Sequence, residues 1–150
     1  MSHLVTTQIA IDVPPERVWP VFTDFDSYPH WSRFIKSISG ELCSGGRLCV
    51  RLGPADSDGL TFKPRVTEYR EGSVLEWLGH LVIPGVFDGR HRFELTKTSD
   101  GNTLFTQSET FGGITIPFVA SSLAGMTRSF DAFNASLKAR VEGRPRSLPE

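Results

Sequence analysis

Residues 116–142 read IPFVASSLAGMTRSFDAFNASLKARVE. Val119, Leu123, Met126, Phe130, Phe133, Leu137 and Val141 recur at steps of three and four, the period of one helix face. Arg128, Asp131, Lys138 and Arg140 belong mainly to the other faces. Such a stripe suits a coiled-coil seam or a helix laid on a sheet. The text before it decides, because it reads as six short strands that each need one face covered. The spacing therefore predicts a helix over 116–142 packed on a sheet.

Working back from that helix, the strands fall at 34–42, 47–53, 60–70, 73–82, 86–97 and 103–111. Gly45-Gly46, Asp58-Gly59, Glu71-Gly72, Pro84-Gly85 and Asp100-Gly101 punctuate them. Residues 4–12 add a strand at the start, with Val5, Thr7, Ile9 and Ile11 on one face. Pro14-Pro15-Glu16 then opens a short helix whose apolar face is Val18, Trp19, Val21 and Phe22. Phe25 to Trp31 reads as another helical turn or two, broken at Pro29. The class is α+β: a curved seven-stranded antiparallel sheet around a long C-terminal helix, with two short helices after the first strand. One domain over 1–142 is expected, with a frayed tail at 143–150.

Composition narrows the function. One hundred and fifty residues suit a single domain, and 39% hydrophobic with 22% charged residues excludes disorder. Sixteen basic against seventeen acidic residues leave no excess charge for phosphates, so nucleic acid is not expected as a partner. Met1-Ser2-His3-Leu4 opens no secretory signal, and no apolar run approaches the ~18–20 residues of a membrane span. A cytoplasmic protein without integral membrane association is expected. A two-residue Gly45-Gly46 turn would pair Cys43 with Leu48 and Leu42 with Cys49, setting the thiols on opposite faces, a poor geometry for a disulfide. His3, His30, His80 and His91 are scattered, and no phosphate-binding glycine loop or nucleophile elbow occurs, so neither metal nor cofactor is expected. Eleven Phe supply either a packed core or the wall of an apolar cavity.

Strand parity selects the residues that face the helix. Phe87, Gly89, His91, Phe93 and Leu95 share a face, as do Phe105, Gln107, Glu109 and Phe111. Leu75, Trp77, Gly79 and Leu81 form the inner row of 73–82, and Phe62, Pro64 and Val66 that of 60–70. Ser99-Asp100-Gly101 suits a three-residue hairpin loop with Gly101 left-handed, so Thr98 opposes Asn102 and His91 opposes Glu109. Directly opposed Cβ atoms lie ~4.5–5.5 Å apart, close enough for the imidazole and carboxylate to share a proton. His91 and Glu109 are therefore the candidate catalytic pair. Trp77, Phe93, Gln107, Phe62, Phe111, Met126, Phe130 and Trp31 are the candidate ligand contacts. If the helix is a cavity lid, Leu123, Met126 and Phe130 border the void while Phe133, Leu137 and Val141 pack on the sheet.

The element order, with five local phrases, resembles the helix-grip superfamily of START-like domains, polyketide cyclases and birch-pollen-allergen relatives. Within it, the chain is most similar to the polyketide cyclase/dehydrase group. The phrases are Val13-Pro14-Pro15-Glu16-Arg17-Val18-Trp19, Asp24-Phe25-Asp26-Ser27-Tyr28-Pro29-His30-Trp31, Gly89-Arg90-His91-Arg92-Phe93, Glu109-Thr110-Phe111-Gly112-Gly113 and Phe133-Asn134-Ala135-Ser136-Leu137-Lys138. The resemblance spans roughly 4–142 and implies the fold more strongly than any reaction. Three functions stay open. One is binding of a hydrophobic or aromatic small molecule between sheet and helix. Another is a cofactor-free cyclase, aromatase or dehydratase in the same cavity. The third is a lipid carrier or interaction module with a packed core, which a void above ~300 Å³ would disfavour.

Overall fold

A computed structural model describes residues 2–54, 56–81, 84–117, 123 and 125–143. Val119, the side chain of Leu81 and residues 144–150 of the expected tail lie outside the described residues. The strands are β1 (Ser2–Ile11), β2 (Ile35–Gly40), β3 (Leu48–Leu52), β4 (Leu60–Phe62), β5 (Arg65–Arg70), β6 (Val74–Leu81), β7 (Phe87–Lys97) and β8 (Thr103–Gly112). Among them stand α1 (Pro15–Phe22), a 3-10 turn (Phe25–Ser27), α2 (Tyr28–Trp31) and, at the end, α3 (Met126–Val141).

The expected single sheet of seven strands is instead, among the described residues, eight strands in two antiparallel sheets. One has the order β1-β8-β7-β6-β5 and the other β2-β3-β4. Lys63-Pro64 cuts the expected 60–70 strand into β4 and β5, because Pro64 has no N–H for a ladder. The expected parity nevertheless holds there, with Pro64 and Val66 buried and Lys63 and Arg65 exposed. A few backbone bonds stitch the sheets together: Gly45 N to Val66 O at 2.9 Å, Val66 N to Gly46 O at 2.8 Å and Leu48 N to Pro64 O at 3.0 Å. Those bonds also overturn the two-residue turn at Gly45-Gly46. The glycine backbone groups are committed to Val66, so residues 41–47 form the connection, and Gly40 pairs with Leu48, Ser39 with Cys49. Cys43 and Cys49 are free thiols.

Two helix expectations also change. Pro29 does not break its helix but occupies the first turn of α2, where no N–H is required. The single helix over 116–142 is interrupted: Ile116, Pro117 and Leu123 are helical, Gly125 stands in a turn, and α3 starts at Met126. Glycine is a poor helix interior residue, by ~1 kcal/mol against alanine, and supplies the interruption.

The register of the large sheet orders the interior into rows. Thr7, Gln107, Phe93, Leu75 and Tyr69 are successive cross-strand partners from β1 to β5. One row further, Val5, Glu109, His91, Trp77 and Val66 are partners, and beyond them Phe111, Gly89 and Gly79. Under α1 and the second half of α3 the rows are solid. Phe22, Phe93, Phe105 and Phe133 are all essentially inaccessible, and Phe93 lies 5.0 Å from Phe22 and 6.0 Å from Phe133, centroid to centroid.

Candidate functional site

At the Gly79–Gly89 end the filling stops. A cavity of about 820 Å³ opens between the large sheet, β4, the 53–59 loop and the start of α3. Two directly paired glycines create it by withholding side chains. A Cβ on Gly79 would meet the Phe62 ring at 3.0 Å, and one on Gly89 would collide with Glu109 Oε2. Phe87 and Phe111 stack at 5.7 Å with planes 15° apart and form one wall. Phe62 and Leu60 form another, Leu123, Met126 and Ser129 the helix side, and Gly53, Pro54, Ser57 and Asp58 the rim. Phe34 also lines the space, and it is the one described non-glycine residue at positive φ, 71°. Such backbone strain costs of order 1–3 kcal/mol and collects at ligand clamps.

Glu109 is the inner acid of this cavity, with its side chain 12% exposed, whereas Asp58 is exposed at the rim. Its partner is the one expected from the hairpin: Gly101 has φ 86°, Thr98 N donates to Asn102 O at 2.9 Å, and His91 pairs directly with Glu109. His91 Nδ1 stands 3.2 Å from Glu109 Oε1, and the imidazole is 1% exposed. On its other side, His91 Nε2 is 2.8 Å from Gln107 Oε1. Gln107 Nε2 donates to Asn134 Oδ1 at 2.7 Å and to the Phe130 carbonyl at 3.4 Å. Asn134 Nδ2 donates to Thr7 Oγ1 at 2.8 Å. A hydrogen-bonded file thus runs from the cavity through the core to β1, and burial without such partners would be expensive for each amide.

Of the residues singled out from sequence, Glu109, Phe62, Phe111 and Met126 are in the cavity wall. His91 lies behind Glu109, one step from the wall. Trp77, Phe93, Gln107 and Phe130 belong to the packed rows beneath, where His91 stacks on Phe93 at 4.4 Å and contacts Trp77 at 5.2 Å and Phe130 at 5.0 Å. Trp31 packs with Tyr28 and Phe133, at 4.7 and 5.8 Å. Phe130, expected to border the void, is fully enclosed. Phe34, Phe87, Gly79, Gly89 and the 53–59 rim were not among the expected contacts. Paired glycines in mid-strand carried the signal, since glycine there marks close approach of a ligand or backbone.

Burial, reinforced by the Asp24 charge, pushes the Tyr28 hydroxyl well above its usual range. At the cavity edge, His80, which also lines the space, pairs with Asp88 at 2.7 Å, and His80, then the Gly85 N–H, hold the Asp88 carboxyl below its usual range. Among the described residues, no group of three or more His, Cys, Asp or Glu is placed to hold a metal ion. No described helix is long and apolar enough to cross a membrane.

Similar proteins share this architecture. The Zhui aromatase/cyclase from Streptomyces sp. R1128 superposes with a TM-score of 0.75 at 15% identity, covering 99% of each chain. A norcoclaurine synthase point mutant from Thalictrum flavum, solved with a transition state analogue, gives 0.72 at 9% identity, covering 95% of this chain and 96% of that one. A hypothetical protein from Helicobacter pylori gives 0.76 at 16% identity, covering 93% and 88%. Identities this low speak to the helix-grip fold alone. No curated protein matches the chain. The family described as polyketide cyclase / dehydrase and lipid transport matches residues 2–142, from the start of β1 past the end of α3, and the chain belongs to that family.

Proposed function

We propose that this protein is a cytoplasmic binder of a hydrophobic or aromatic small molecule, held between the sheet and α3 with its polar group at Glu109. The observation that carries the reading is the pairing of a largely apolar space of about 820 Å³ with one inner carboxylate, Glu109, and its buried histidine partner, the other acid of the lining, Asp58, being exposed at the rim. Small-molecule sites commonly occupy ~300–1,000 Å³ and carry few polar groups. A void of this size counts against a packed interaction module. The test is equilibrium binding of 2-naphthol, followed by tryptophan fluorescence. Gly89→Ala sets a methyl against the Glu109 carboxylate and should weaken binding at least tenfold, about 1.4 kcal/mol. Equal affinity in the variant would remove the site from this end of the grip.

A second reading, cofactor-free cyclase or dehydratase, is favoured by the file of hydrogen bonds behind Glu109, which a simple anchor does not require. In a dehydration, Glu109 Oε2 would take a proton from the carbon next to a carbonyl. It would return that proton to the departing β-hydroxyl, so that a C=C bond forms and water leaves. Such a positioned base contributes ~10²–10⁴-fold. On a β-hydroxy ketone of fitting size, Glu109→Gln should lose turnover by that factor while its 2-naphthol affinity falls only about tenfold. Loss of binding and turnover together would leave only the anchor role.

A further inference from the structure

The file Glu109–His91–Gln107–Asn134–Thr7 contains one acceptor whose role cannot be exchanged, the backbone carbonyl of Phe130. Gln107 Nε2 lies 3.4 Å from it. Turning the amide over would set two carbonyl oxygens against each other, so the amino end of Gln107 faces Phe130 and Asn134. Gln107 Oε1 then faces His91 Nε2 at 2.8 Å, and only a protonated Nε2 satisfies it. The remaining nitrogen, Nδ1, meets Glu109 Oε1 at 3.2 Å. With Nε2–H fixed, an unprotonated Nδ1 opposite an ionised carboxylate would be two lone pairs in contact.

We propose that Gln107, oriented by Phe130 and Asn134, is a positioning residue that keeps His91 protonated at Nε2, confining one proton to the Nδ1···Oε1 contact and leaving Glu109 Oε2 as the acceptor facing the cavity. Oε2 sits over Gly89 and has no partner among the described residues. The ligand class follows: a molecule that presents an O–H or N–H donor to the cavity floor. This rests on the reading of Glu109 as the polar end of the site.

Long-range ¹H–¹⁵N spectra of histidine-labelled, ligand-free protein test the positioning. His91 Nε2 should resonate as a protonated nitrogen. Gln107→Leu should convert His91 to the neutral form protonated at Nδ1, because an unpaired N–H in that core is costlier than a lone pair. An unprotonated Nε2 in wild type overturns the proposal whether or not the variant folds, and so does an unchanged tautomer in Gln107→Leu. For the ligand class, 2-naphthol should bind about tenfold tighter than 2-methoxynaphthalene, and equal affinities overturn the acceptor assignment. If neither probe binds while the spectra are as expected, the binding function fails and the positioning stands.

Discussion

Tyr28 shows how one side chain ties the short helices to the core. Its ring packs against Phe25, Trp31 and Phe133, and its hydroxyl donates to the Phe22 carbonyl at 2.5 Å, at the end of α1. Burial raises its ionisation well above the usual range. The folded chain therefore keeps this proton when the unfolded chain, with an ordinary tyrosine near ~10, begins to lose it. The stability involved is fully present below that pH and is lost as pH rises through and beyond it. Urea midpoints should accordingly fall more steeply from pH 9 upward in wild type than in Tyr28→Phe. At neutral pH the same substitution should cost about 1–3 kcal/mol for the stranded carbonyl. Parallel alkaline slopes would show that Tyr28 is not the linked group. Glycine is the opposite case at this scale: Gly79 and Gly89 act by what they lack.

The helix and the sheet match at the level of elements because their repeats nearly coincide. Four residues of helix advance ~6 Å and two of strand ~6.7 Å, so successive helix positions four apart meet successive rows of the sheet. Asn134 lies over the Thr7–Gln107 row, Phe130 over His91, and Met126 over the glycine row. The stripe therefore begins at a cavity and ends in solid core. Leu137→Ala should cost about 2–5 kcal/mol, as deletions in filled cores do, and Met126→Ala clearly less, since its side chain borders space already empty. Equal losses in chemical denaturation would mean that the Met126 end is packed. In the β7–β8 hairpin, Gly101→Ala at φ 86° should destabilise by at least about 1 kcal/mol, because the register of His91 and Glu109 hangs on that turn. Parity and turn chemistry made this hairpin legible from the residues alone. The Gly45-Gly46 connection was not, because its backbone partners come from Val66, far along the chain, and a turn rule sees only neighbours. Part of the cavity lining was missed for the same reason: Phe34 and the 53–59 rim reach it from beside the second sheet, whose docking no local pattern encodes.

On the scale of the whole molecule, the two sheets divide stability unequally. The five-stranded sheet carries the aromatic rows and the grip on α3, whereas β2-β3-β4 joins it through the short stitch at Gly45, Gly46 and Leu48. Leu60 is more than half exposed at the cavity edge, and β4 is three residues long. Regions with few buried contacts open locally at less than the global free energy. Amides of β7 and β8 beside Phe93 and Phe105 should therefore exchange only on global unfolding, and those of β4 much sooner. A ligand in the cavity bridges the two sheets through Phe62 on one side and Phe111 on the other. It should slow exchange in β4 first. At one hundred times its Kd it should also stabilise the whole chain by about 2.7 kcal/mol. For a domain of this size that corresponds to a rise in Tm of roughly 5–11 °C. Hydrogen exchange with and without 2-naphthol separates the outcomes. Protection confined to β4 and the 53–59 rim, together with the rise in Tm, places the ligand between the sheets. A rise in Tm with no change in those amides would place it elsewhere on the molecule.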